Sequence, residues 1–149
     1  MKTLFVRCVT RAFAGLLLAM ALSGCSTFHR EWKQAGNQRP PIDDITGRWR
    51  GVWKSEATGH QGALRCVVSK ESPEKYRFLY RATWKTILHG TYAVHQDVQR
   101  EGHVFKMRGG ADLGKLYGGR YEYEGQATHT NFFSTYRAQG DHGTFQMTR

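Results

Sequence analysis

From Ile45 to the C-terminus the side chains alternate with a period of two, and this pattern limits the fold more than any other feature of the sequence. Trp49, Gly51 and Trp53 alternate with Arg48, Arg50, Val52 and Lys54. Tyr76, Phe78, Tyr80, Ala82 and Trp84 alternate with Lys75, Arg77, Leu79, Arg81, Thr83 and Lys85, and Tyr121, Tyr123, Gly125 and Ala127 alternate with Arg120, Glu122, Glu124 and Gln126. Successive side chains of a strand point to opposite faces, so each run assigns one set inward and one outward. A helix would put Tyr76, Tyr80 and Trp84 on one face but turn Phe78 away from them. Turn-forming clusters divide the region into eight expected strands: 46–55, 62–70, 75–84, 87–95, 102–110, 118–128, 131–138 and 143–149. His95-Gln96-Asp97 is read as one of these breaks. The sequence is 40% hydrophobic and 13% aromatic, enough for one domain with its own core, which excludes disordered and fibrous classes.

Every connection but one is short, and short links join antiparallel neighbours. Eight such strands either curl and leave two edges or close into a barrel, which removes the edges. The expected fold is therefore all-β, an antiparallel up-and-down barrel or curled sheet. Ile45-Thr46-Gly47-Arg48-Trp49 resembles the first-strand G-x-W of the calycin superfamily, which includes lipocalins and avidin-like barrels. The resemblance implies that Trp49 plugs one end of the barrel and that Arg149, at the end of the last strand, stacks on its ring. The avidin-type polar ligand set is absent after the first tryptophan, where the chain reads Arg50-Gly51-Val52-Trp53.

The inward set comprises Tyr76, Tyr80, Tyr92, Tyr121, Tyr123 and Tyr136 with Trp49, Trp53, Trp84, Phe78, Phe105 and Phe145. An eight-stranded barrel is just wide enough for side chains to fill it, so a plugged core is one expectation. The use of tyrosine where phenylalanine would pack as well supports the other, a pocket. A buried phenol without a partner costs about 1–3 kcal/mol, so inward hydroxyls imply water, mutual bonding or a polar ligand. Trp53, Tyr76, Tyr80, Tyr92, Tyr121 and Tyr123 are the candidate ligand-binding residues.

Upstream of the domain, residues 1–24 read as a secretory signal. Lys2, Arg7 and Arg11 precede an apolar stretch, Phe13 to Leu22, that is too short to span a bilayer. The stretch ends in Leu22-Ser23-Gly24-Cys25, which resembles the lipobox of bacterial lipoproteins. That resemblance implies lipidation at Cys25 and, because Ser26 is not aspartate, anchoring at the outer membrane facing the periplasm. Residues 25–44 carry Pro40-Pro41 and lack a clear period, so they read as the lipidated cysteine and a flexible tether. A short helix with Phe28 and Trp32 on one face is the alternative. The barrel domain then covers 45–149. With Cys8 removed and Cys25 acylated, Cys66 has no partner and reads as a small core residue.

Loss of the signal lowers the formal charge from +10 to +7, so the mature chain stays basic. Arg48, Arg50, Lys54, Arg65, Lys75, Arg77 and Arg81 fall outward on the first three strands and form an expected basic surface. Such a surface attracts anionic lipids or envelope polymers over about a Debye length, ~8 Å, and otherwise serves as a solvated face. Nucleic acid is a poor partner for an exported protein. The histidines lie near turns without metal-ligand spacing, and neither a nucleophile elbow nor a phosphate loop followed by a helix occurs, so no catalytic residue, metal or cofactor is assigned. The function expected is non-catalytic binding of a small or amphiphilic ligand by a lipid-anchored envelope protein. The alternative is an envelope interaction protein that works through its basic face.

Overall fold

The computed structural model describes residues 27–85, 88–115 and 118–149. The signal, Cys25 and Ser26 lie outside the described residues. Eight strands follow one another along the chain: β1 (Gly47–Ser55), β2 (Gln61–Lys70), β3 (Lys75–Trp84), β4 (Leu88–Glu101), β5 (Val104–Asp112), β6 (Arg120–Ala127), β7 (Asn131–Arg137) and β8 (His142–Thr148). Each pairs antiparallel with the next, and β8 pairs with β1, so the sheet is a closed up-and-down barrel. Of the two expected forms, curled or closed, the closed one is present. Registered pairs lead from Gly51 through Leu64 and Ala82 to Gly90 in one direction. In the other they pass Met147, Phe132, Ala127 and Phe105 and arrive at Arg100, ten residues further along the same strand. A stagger of this kind tilts the strands by roughly 40°.

Seven strands fall close to their expected places, and β4 is the exception. It runs unbroken over fourteen residues, through the expected turn at His95-Gln96-Asp97. Their polarity suggested a loop, yet it follows the strand alternation: His95 and Asp97 face solvent, where they pair with Glu71 and Lys75, while Gln96 points inward. The turn comes instead at Gly102-His103, where Gly102 has φ 63°.

One end of the barrel is sealed by the residues of the G-x-W motif. Gly47 takes φ 113°, outside the range that suits a side chain, and turns the chain into β1. Trp49 is fully buried and donates from Nε1 to the Ile45 carbonyl at 2.9 Å. The Arg149 guanidinium lies 4.4 Å from the indole centroid. It also donates to the carbonyls of Thr46, Asp44 and His129 at 2.6, 2.6 and 2.7 Å. This closure and the eight-stranded topology are consistent with a lipocalin-like fold.

Residues 27–36, expected as tether, form a helix, α1, and the alternative reading of Phe28 and Trp32 describes it. Their rings stack at 5.7 Å and bury against Val67 and Leu79 on the outside of β2 and β3. Those two residues break the alternation, because they are apolar at outward positions. Their burial, with that of Phe28 and Trp32, supplies the energy that holds a helix of only ten residues. Among the described residues no helix is long and apolar enough to cross a membrane.

Candidate functional site

The barrel interior is layered along its axis. Tyr80, Tyr123 and Phe145 form the middle, with ring centroids 5.2 to 6.3 Å apart and all three buried. Such spacing leaves the centre filled by side chains. Below it, Phe78, Phe132, Met107 and Trp49 continue the core to the sealed end. Tyr76 belongs to that sealed end, where its hydroxyl donates to Asp44 at 3.2 Å, so it stands apart from the other candidate ligand residues.

At the opposite end, inward positions carry either a ring or almost nothing. Trp53, Tyr92 and Tyr121 are half-buried and rest on the core, as do Ala82 and Ala111. Gly62 and Gly143 also face this end, each next to a ring. A Cβ on Gly62 would come within 2.7 Å of Trp53 Nε1, and one on Gly143 within 2.8 Å of the Tyr136 hydroxyl. The rings are held in place by polar contacts. Trp53 Nε1 donates to the Thr83 carbonyl at 3.0 Å. Asp141 accepts from Ser55 Oγ at 2.6 Å and from the Tyr136 hydroxyl at 3.3 Å. The result is a mouth of half-buried rings over a closed floor. Trp84, expected inside, lies beyond the rim and is 40% exposed, because β3 extends past the end of the barrel.

Burial raises the phenols of Tyr80, Tyr92, Tyr123 and Tyr136 above their ordinary value of 10, since an ionised oxygen would lose its hydration there. Tyr92 and Tyr123 bond to each other, and Tyr80 accepts from Gln96 Nε2 at 3.5 Å. The folded state therefore keeps protons that the unfolded chain releases. This contribution to stability is fully present below pH 10 and is lost as pH rises past it. In an alkaline titration followed by phenolate absorbance, these four tyrosines are expected to ionise only as the fold is lost. Four phenols ionising reversibly near pH 10 with the fold intact would contradict their burial.

The basic residues all face outward, and α1 crosses the middle of their stripe. Arg77 pairs with Glu31 of α1 at 2.8 Å, and Lys75 pairs with Asp97 at 2.8 Å. Arg81 lies over the Phe28 ring, while Arg48, Arg50 and Arg65 surround the indole of Trp32. Lys54 is exposed at the far end of β1. Beside Trp32 a groove of about 600 Å³ runs between residues 31–40 and β1–β2, and a second of about 510 Å³ crosses the outside of β1, β7 and β8. Glu31 was not singled out from the sequence. The four-residue spacing of Phe28 and Trp32 marked the helix face, but nothing local marked its partner surface.

No family model, curated protein or solved structure matches this chain. The site must therefore be read from its own chemistry. Among the described residues no three of His, Cys, Asp or Glu cluster at ligating distance. Cys66 is buried, and desolvation raises its thiol well above the ordinary value, which disfavours the nucleophilic thiolate.

Proposed function

We propose that the chain is a lipid-anchored protein of a bacterial cell envelope, held through Cys25, that binds a small or amphiphilic ligand at the aromatic mouth of the barrel without covalent chemistry. The observation that carries this reading is the mouth itself. Half-buried Trp53, Tyr92 and Tyr121 rest on a filled floor at the end opposite Trp49, where Ala82 and Ala111 pack on the same core. Partly exposed rings pack on flat or apolar groups, and the Tyr121 hydroxyl is placed to orient a polar substituent. Because the floor is closed, the ligand lies across the mouth and does not descend the axis. Tyr80 and Tyr123 contribute the floor, while Trp53, Tyr92 and Tyr121 contribute the contacts.

A native mass spectrum of the full chain extracted from its cells tests this reading, with the acyl mass on Cys25 read separately from any retained molecule. Removing two ring contacts of about 1 kcal/mol each weakens binding roughly thirtyfold. The Trp53→Ala/Tyr121→Ala variant is therefore expected to lose the retained mass. Equal retention by wild type and variant would remove the mouth from consideration.

A further inference from the structure

Three guanidiniums converge on one indole. The Arg48, Arg50 and Arg65 carbons lie 5.1, 5.3 and 5.5 Å from the centroid of Trp32. Among the described residues none of the three has a carboxylate within ion-pair distance. The ring accounts for their placement but leaves their charge uncompensated, and like charges this close favour a shared anion. The adjoining groove contains Arg39, Arg48, Arg50, Lys70 and Arg149 against one carboxylate, Glu31, which is already engaged with Arg77. Lys70 lies 3.6 Å from Asp44, and Arg149 is committed to three backbone carbonyls. Arg39 on one wall and Arg48 and Arg50 on the other therefore remain as free donors. A Cβ on Gly36 would coincide with the Arg48 guanidinium, so this helix glycine lets the arginine lie across the end of α1 and reach the groove.

We propose that this groove binds the phosphate of an anionic membrane lipid and thereby seats the barrel on the bilayer by its α1 face. Arginine suits the role, since its planar fork offers two parallel donors to phosphate oxygens. A lipid is favoured over a soluble anion because α1 lies close along the chain to Cys25. Its first described residue is two positions after Cys25, a reach of about 7 Å, so an acylated Cys25 holds the helix at the headgroups. The outward face of α1 adds Arg30 and Lys33, both exposed. The inference rests on the anchored reading above for its location and on Trp32 and its arginines for its chemistry.

The test is calorimetry on the full chain in a neutral maltoside detergent. It is titrated with dihexanoyl phosphatidylglycerol, dihexanoyl phosphatidylcholine and inorganic phosphate. Saturable, salt-sensitive binding of the phosphatidylglycerol is expected, about tenfold or more tighter than either of the others. Arg48→Gln/Arg50→Gln is expected to weaken it at least about tenfold. Near-UV circular dichroism of the interior tyrosines checks the fold, and Arg50→Gln alone, at an exposed position, replaces the pair if that spectrum changes. Phosphatidylglycerol binding that is indifferent to these substitutions, or equalled by phosphatidylcholine or inorganic phosphate, would overturn the proposal. The mass of Cys25 is read on the same samples. An unmodified Cys25 with arginine-dependent binding would overturn the anchor alone, while an acylated Cys25 with arginine-independent binding would overturn the groove alone.

Discussion

Replacing Trp49 by alanine is expected to lower the thermal midpoint by about 15 °C. The indole is fully buried at the sealed end, in contact with Phe132 at 5.6 Å between centroids. Truncating a buried tryptophan costs about 3–5 kcal/mol, and in a domain of this size each kcal/mol moves the midpoint by roughly 3–5 °C. The loss does not stop at the cavity. Arg149 is half-buried, and its desolvation is offset by the ring beneath it and by three carbonyls. Without the ring, water enters beside that guanidinium and the carbonyl bonds lose their shelter. Trp84→Ala is the natural comparison, because that indole lies beyond the rim and its removal is expected to cost under about 0.5 kcal/mol. Scanning calorimetry of the two variants separates these cases. A Trp49→Ala midpoint within a few degrees of wild type would mean that the sealed end is not where the barrel is held.

The sealed end could be read in advance, and there is a physical reason. Alternation is a local property of a strand, so Trp49, Phe78, Tyr80, Tyr123 and Phe145 declared their inward face without knowledge of any neighbour. The resemblance of the G-x-W motif then placed Trp49 at one end, and Arg149 was the last residue of the last strand. The stack of one on the other needed only that the sheet close. The misreading of His95-Gln96-Asp97 has an equally local origin. Three polar residues in a row look like a turn, but outward histidine and aspartate with an inward glutamine also obey the strand period. Here the long-range register with β3 and β5 decided the matter.

Other features depended on distances along the barrel axis, which alternation does not encode. Tyr76 and Tyr92 are both inward, yet the ten-residue stagger puts one at the sealed end and the other at the mouth. The same holds for the docking of α1. Phe28 and Trp32 fit a helix lying on a membrane as well as one lying on the barrel. What decides between them is the receiving surface, Val67 and Leu79, two apolar residues at outward positions of adjacent strands. The basic stripe was legible as a face but not as a groove, since only the docked helix brings Trp32 among the arginines.

Gly51→Ala is expected to destabilise the barrel by about 3 kcal/mol or more, although it adds one methyl group to a strand. The reason lies in the seam between the first and last strands, where Gly51 opposes Met147. A Cβ on Gly51 would overlap the Gln146 carbonyl oxygen and come within 2.6 Å of the Met147 Cα. These are backbone atoms, fixed by the same ladder that closes the barrel, so no side-chain rotation relieves the overlap. Small-to-large changes in a tight site cost about 1–3 kcal/mol when side chains can yield, and more when they cannot. Opening the seam would create two free edges on an aromatic-rich sheet, so loss of stability should be accompanied by self-association. Gly90→Ala provides the control within β4, since a Cβ there meets nothing within 4 Å and is expected to be neutral or slightly stabilising. Denaturant midpoints, with amide exchange at Arg50–Lys54 and Gln146–Thr148, distinguish a seam that opens from a core that loosens. Equal midpoints for the two alanine variants would mean that β1 and β8 do not approach as closely as this register requires, and closure would then rest on side chains alone.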